Sequence, residues 1–143
     1  MLFRSLKPEN VLIHHDRISN TSRVNITDFG CSDVCTNEFH GIVDGKGTIM
    51  YMAPEILLRK NHGYSVDMWA FGVLAYRVLT NGNFPFPRIH LETWNTHFLD
   101  QYRVPLSLNH IPSDLAYNIR HMLSVDPRDR PSAHDLIQLP CFQ

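Results

Sequence analysis

Three cysteines in 143 residues, Cys31, Cys35 and Cys141, are too few and of the wrong parity for a disulfide-stapled secreted fold. A reducing, cytoplasmic setting is expected, in which the sequons Asn20-Thr21-Ser22 and Asn25-Ile26-Thr27 go unused. Charge of one sign is also missing. The 13 Lys and Arg against 14 Asp and Glu leave a net charge of −1, which provides no broad field for nucleic acid or an anionic membrane. No apolar run approaches the roughly 20 residues that a spanning helix requires, and no basic-then-apolar leader opens the chain. Neither nucleic acid nor membrane is therefore an expected partner. Glycine is sparse, at seven, and none of it forms a Gly-x-Gly-x-x-Gly phosphate loop. The stretch from Gly41 to Thr48 has the flavour of another phosphate loop but fails on spacing, because Lys46 is followed by Gly47. What remains, 43% hydrophobic and 19% charged, is the composition of one globular domain with a real core.

The patterning divides that domain unevenly. Val11-Leu12-Ile13 and Val24-Asn25-Ile26-Thr27 are short β-branched runs, and the polar residues from His14 to Arg23 between them predict a strand pair with a long connection. Everything later reads as helix or loop. Cys31 to Lys46 has no apolar period and predicts a mobile surface segment. Its Cys31, Cys35 and His40 are too few to define a zinc site. Pro54 suits the first position of a short helix carrying Ile56, Leu57 and Leu58. Tyr64 to Thr80 is apolar almost all round, so as a helix it must be buried on several faces, and any face left bare would drive association. Ser65 is placed to cap it, and Asn81-Gly82-Asn83 stops it. Leu91, Trp94, Phe98 and Tyr102 predict an amphipathic helix over 90–101. Ser113 is placed to cap a helix bearing Leu115, Ile119, Met122 and Leu123, and Ser132 with Asp135 forms a capping-box pattern for the last helix.

Three motifs carry chemistry. Phe3-Arg4-Ser5-Leu6-Lys7-Pro8-Glu9-Asn10 resembles the protein kinase catalytic loop, His-Arg-Asp-Leu-x-x-x-Asn, with Phe3 in place of His and Ser5 in place of the catalytic Asp. Eighteen residues after Asn10, Asp28-Phe29-Gly30 follows a strand and resembles the metal-binding motif of the same family. Gly47-Thr48-Ile49-Met50-Tyr51-Met52-Ala53-Pro54-Glu55 resembles the substrate-platform motif of its serine/threonine members.

The resemblance to eukaryotic protein kinases of the serine/threonine type spans Phe3 to about Phe142. It implies a kinase-like C-lobe, mainly α with a short two-stranded β element near the N-terminus, and a partial kinase domain over 1–143 that lacks the N-lobe. Residues 66–74 and 79–86 resemble most the SH3-domain-binding serine/threonine kinases. By the same resemblance Mg2+ and ATP are the cofactors, with Asn10 and Asp28 as metal ligands, Lys7 as the cation near the transferring phosphate, and Ser5 at the proton-acceptor position. Asp67 is expected to tie back to the catalytic-loop backbone, and Glu55 to form a buried ion pair with Arg130. Asp44 is a candidate partner for Arg4. The implied activity is ATP-dependent phosphorylation of protein Ser or Thr, with this chain inactive for want of a base and a nucleotide-covering lobe. The alternatives are a non-catalytic pseudokinase binding module and a truncated gene product. The protein substrate or partner stays open.

Overall fold

The N-terminal β-branched runs pair as expected, in a computed structural model that describes residues 2–32, 48–87, 98–102 and 106–142. β1 (Val11–Asp16) and β2 (Thr21–Ile26) form a two-stranded antiparallel sheet in which Val11 faces Ile26 and Ile13 faces Val24. Both strands run further, and the connection is shorter, than the long loop expected from His14 to Arg23. The polar residues 14–16 and 21–23 continue the ladder, and all but the half-buried Asp16 are exposed, where no apolar alternation is needed to hold them. The turn is closed by Asp16, whose carboxylate accepts from the Ile18 amide at 2.9 Å and the Ser19 hydroxyl at 2.7 Å. Those bonds, with Ser19 first, hold its pKa below the ordinary value.

Among the described residues five α-helical segments follow: α1 (Pro54–Leu57), α2 (Ser65–Leu79), α3 (Phe98–Gln101), α4 (Ser113–Met122) and α5 (Ala133–Leu136). α2 is the axis of the core. Its Trp69 is fully buried, stacked on Phe86 at 5.4 Å between ring centroids and met edge-on by Tyr102 at 5.2 Å. Val73 and Tyr76 continue the buried face, and Ile119 and Met122 of α4 fill the space beside it. The expectation that this helix would leave a bare apolar face is not met within α2, where Val78 alone stands well out at 70% exposure. Exposed apolar surface gathers instead on the sheet. Val11, Ile13, Val24 and Ile26 share one face by the two-residue period, with Ile13 71% and Val24 63% exposed.

The helix starts differ in detail from the sequence reading. Ser65 and Ser113 sit inside the first turns of α2 and α4 and cap neither. Backbone carbonyls do that work: Gly63 and Tyr64 accept from Val66 and Asp67, and Pro112 accepts from Ala116. The capping box at Ser132 and Asp135 is formed in full, and Pro54 opens α1 as its sequence predicts. Of the expected helix over 90–101, the stretch Phe98–Gln101 is helical and the rest lies outside the described residues.

Candidate functional site

The site is built on a sharp turn before β1. Arg4 takes a positive φ of 64°, a conformation that disfavours a side chain and must be held by its surroundings. Asp67, in the first turn of α2, holds it. One carboxylate oxygen accepts from the Phe3 amide at 2.7 Å and the other from the Arg4 amide at 2.8 Å. Burial pushes the Asp67 carboxyl above its usual range, outweighing those two bonds and the nearby Arg4 charge. The central helix thus sets the position of the Phe3–Arg4 turn, as the sequence pattern predicts.

Ser5 and Asn10 come together at the end of that turn, 7% and 5% exposed. The Asn10 side-chain amide donates to the Ser5 hydroxyl and to the Ser5 carbonyl, both at 2.8 Å. The Asn10 main chain donates to the Lys7 carbonyl at 3.0 Å and accepts from the Thr27 amide at 2.9 Å. That last bond fastens the residue before Asp28 to Asn10. Asp28 itself turns through φ 64° and ψ 70°, and its carboxylate accepts from the Gly30 amide at 3.4 Å. Lys7 and Ser5 both line a small cavity shared with Arg4, Tyr51 and Asp67.

Two contacts in the site had no place in the sequence reading. The Phe3 ring meets the Phe29 ring edge-on at 5.2 Å, and the Ser32 hydroxyl donates to the Phe3 carbonyl at 3.4 Å. Together they lock the turn at Phe3 and Arg4 to the segment around Asp28. The signal available in sequence was Phe3 itself, an aromatic where the loop pattern carries His. The Asp44 pairing with Arg4 lies outside the described residues, as do Cys35 and His40.

For a divalent cation the donors are of the right kind. Asn10 offers an amide oxygen and Asp28 a carboxylate, hard ligands of the sort that hold Mg2+ alongside phosphate oxygens and water. Among the described residues no cluster of three or more His, Cys, Asp or Glu could hold a metal ion.

Below the site, Arg130 and Glu55 form a bidentate pair at 2.6 and 2.8 Å. Arg130 spends its remaining donors on the carbonyls of Ser124, Ser65 and Val125, and its guanidinium lies 5.0 Å from the Trp69 ring centroid. All five N–H groups are therefore satisfied. The expected ion pair is present, and it joins α1, the start of α2 and the segment after α4.

Comparison with known proteins gives the same frame. The family profile described as "Protein kinase domain" matches residues 1–142. The chain is 34% identical to mitogen-activated protein kinase kinase 2 of Arabidopsis thaliana over 98% of its own length and 39% of that kinase. It is 34% identical to the SNF1-related protein kinase catalytic subunit alpha KIN12 of the same plant over 99% of its length and 27% of that protein. The solved structure of the Cydia pomonella granulovirus kinase PK-1 aligns with a TM-score of 0.72 and 29% identity, covering 99% of this chain and 50% of that one. The chain thus spans less than half the length of these curated relatives. Sequence profile and solved structure agree along the whole chain, which belongs to the protein kinase domain family.

Proposed function

We propose that this chain is the large-lobe portion of a serine/threonine-type protein kinase domain in which Ser5 holds the proton-acceptor position, and that by itself it is inactive in phosphorylating protein hydroxyls. One observation carries the proposal. Ser5 is buried and hydrogen-bonded by the Asn10 amide at 2.8 Å, at the position where the loop pattern has a carboxylate. A hydroxyl is a poor proton acceptor near neutral pH, and a positioned base supplies about 10²–10⁴-fold of rate.

The other roles are kept by residues of this chain. Lys7 brings an ammonium group to the cavity beside Ser5, and Asn10 and Asp28 present oxygen ligands from the two ends of the hairpin. Mg2+, when bound with ATP, neutralises charge on the phosphate oxygens. Asp67 holds the turn at Phe3 and Arg4 that leads into Ser5, Lys7 and Asn10.

The second reading is a pseudokinase that binds a protein partner without transferring phosphate, and Ser5 favours it; a truncated gene product is the third. The narrower likeness to SH3-domain-binding kinases rests on residues 66–74 and 79–86 of the sequence alone. Cytoplasmic residence, and a protein rather than nucleic acid or a membrane as partner, are supported by the sparse cysteines and the net charge of −1.

Radiolabelled-phosphate transfer to a protein substrate tests the proposal on four proteins: the chain, Ser5→Asp, and each of these joined to a related kinase's small lobe and intervening helices. Transfer is expected to approach ordinary kinase rates only in the joined Ser5→Asp protein, with the joined Ser5 protein slower by about 10²–10⁴-fold. Equal rates in the two joined proteins overturn the role given to Ser5. A joined Ser5→Asp protein that stays inert while binding ATP favours the pseudokinase reading.

A further inference from the structure

α2 ends on the chain's one Asn-Gly pair, Asn81-Gly82. In such a pair the asparagine side chain is open to attack by the next main-chain nitrogen, because glycine places no Cβ beside the approach. Both residues are exposed, and both take positive φ, 55° at Asn81 and 91° at Gly82. The Asn81 side-chain amide has no hydrogen-bond partner among the described residues, so nothing there shields its Cγ. Asn20 gives the contrast within the same chain. It too is exposed, with φ at 53°, but the β-branched Thr21 follows it.

The helix cap restrains this pair. The Gly82 amide donates to the Arg77 carbonyl at 2.7 Å, the longer bond of a Schellman cap with Asn81 as its left-handed residue. Arg77 grips Gly82 a second time through its side chain. Its Nε donates to the Gly82 carbonyl at 3.2 Å, and its guanidinium carbon is steadied 4.3 Å from the Phe84 ring centroid. The Thr80 hydroxyl donates to the Tyr76 carbonyl, and the Asn83 side-chain amide donates to the Thr80 carbonyl, both at 2.7 Å. The nitrogen that could attack Asn81 is therefore held as a donor while the cap is closed. To become a nucleophile it must give up both its proton and its bond to Arg77, which requires the last turn of α2 to open.

We propose that Asn81-Gly82 is a spontaneous deamidation site gated by this cap. When the turn opens, the Gly82 nitrogen loses its proton and bonds to the Asn81 Cγ. The Cγ–Nδ2 bond breaks, and the side-chain nitrogen takes up a proton and leaves as ammonia. Water then hydrolyses the succinimide so formed. Opening at Cγ gives aspartate, and opening at the main-chain carbonyl gives isoaspartate. Isoaspartate lengthens the main chain by one carbon between residues 81 and 82, so the Gly82 amide no longer meets the Arg77 carbonyl as before. Conversion thus makes the opening permanent. The step needs only water and is independent of phosphate transfer.

The test is peptide mass spectrometry on the full 143-residue chain after incubation at mildly alkaline pH, either folded in buffer or unfolded in guanidinium chloride. Water labelled with heavy oxygen marks the conversions that occur during incubation, and backbone fragmentation separates aspartate from isoaspartate. In the unfolded chain Asn81 should convert faster than every other asparagine, Asn20 included. In the folded chain its conversion should be slower by about tenfold or more, the weight of the hydrogen bond and turn that must open. Arg77→Met and Asn83→Ala each remove one hold on the cap. Both should raise the folded rate toward the unfolded one and leave the unfolded rate unchanged, since neither alters residue 81 or 82. Gly82→Ala should slow conversion in guanidinium chloride, where folding plays no part. Circular dichroism establishes that each cap variant is folded, and if neither folds, the wild-type ratio of folded to unfolded rates still decides. Equal rates in the two states overturn the gating, and no preferential conversion of Asn81 in the unfolded chain overturns the site. Folded cap variants that convert no faster than wild type overturn the role given to the cap.

Discussion

At the scale of single residues, two carboxylates decide how well the site is held. Glu55 is buried against Arg130, and Glu55→Gln would leave a guanidinium in the interior with no charge to meet it. The expected loss is about 3–5 kcal/mol of folding stability, measured by urea unfolding. Arg130→Lys should also destabilise, since an ammonium cannot reproduce the fork that reaches Glu55 and three carbonyls. Asp67 makes a different prediction. Its folded pKa is raised by burial, so folding takes up protons there. That contribution is complete below the ordinary carboxylate value of 3.8 and is lost as pH rises through the raised folded value. Wild-type stability should therefore fall over that window, and Asp67→Asn should flatten that part of the curve. Identical slopes in the two proteins would rule out Asp67 as the source. Asp67, Glu55 and Arg130 were legible in the sequence because their motifs are fixed in spacing. The Phe3–Phe29 and Arg77–Phe84 contacts were not, because each joins residues whose proximity exists only after folding.

At the scale of elements, the close approach of α2 and α4 depends on one missing side chain. A Cβ on Gly72 would lie 2.9 Å from the Met122 Cβ and 3.1 Å from Leu123 side-chain atoms. The Met122 Cβ is fixed to its own backbone, so relief requires the helices to separate. Gly72→Ala is expected to destabilise by about 1–3 kcal/mol despite its better helix propensity, and thermal unfolding measures it. A neutral or stabilising result would mean that the helices slide at little cost. The elements themselves were readable to differing degrees. α2 and the capping box at Ser132 announce themselves by composition and by a local bond pattern. The hairpin's true length did not, because His14, His15 and residues 21–23 are exposed and obey no burial pattern. Ser65 and Ser113 misled for a related reason: a serine near a helix start can cap it or sit one position inside it, and the backbone geometry that chooses is invisible in composition.

At the scale of the whole molecule, the apolar surface is unevenly distributed. The helical body buries Trp69, Val73, Ile119 and Met122 and leaves Tyr64, Val78, Tyr117 and Ile137 exposed at separate points, while the hairpin holds Ile13, Val24 and Ile26 in solvent on one face, with Phe29 half-exposed just beyond β2. An all-round apolar helix needs many neighbours, so composition alone places the association hazard on α2. In the folded chain α4 and the aromatic cluster supply them. The hazard moves to the sheet, where two strands cannot cover their own face. The isolated chain is therefore expected to self-associate as its concentration rises, seen as a concentration-dependent mass in light scattering. Replacing Ile13 and Val24 together by Thr keeps β-branched residues in the ladder while removing apolar surface from the exposed face. That double variant should remain monomeric to higher concentration with little change in unfolding midpoint, because neither side chain contributes to the core. The matched control is Val78→Thr on α2, which removes one isolated exposed group and should leave association unchanged. If Val78→Thr suppresses association and the hairpin variant does not, the surface that governs solubility is the helix after all.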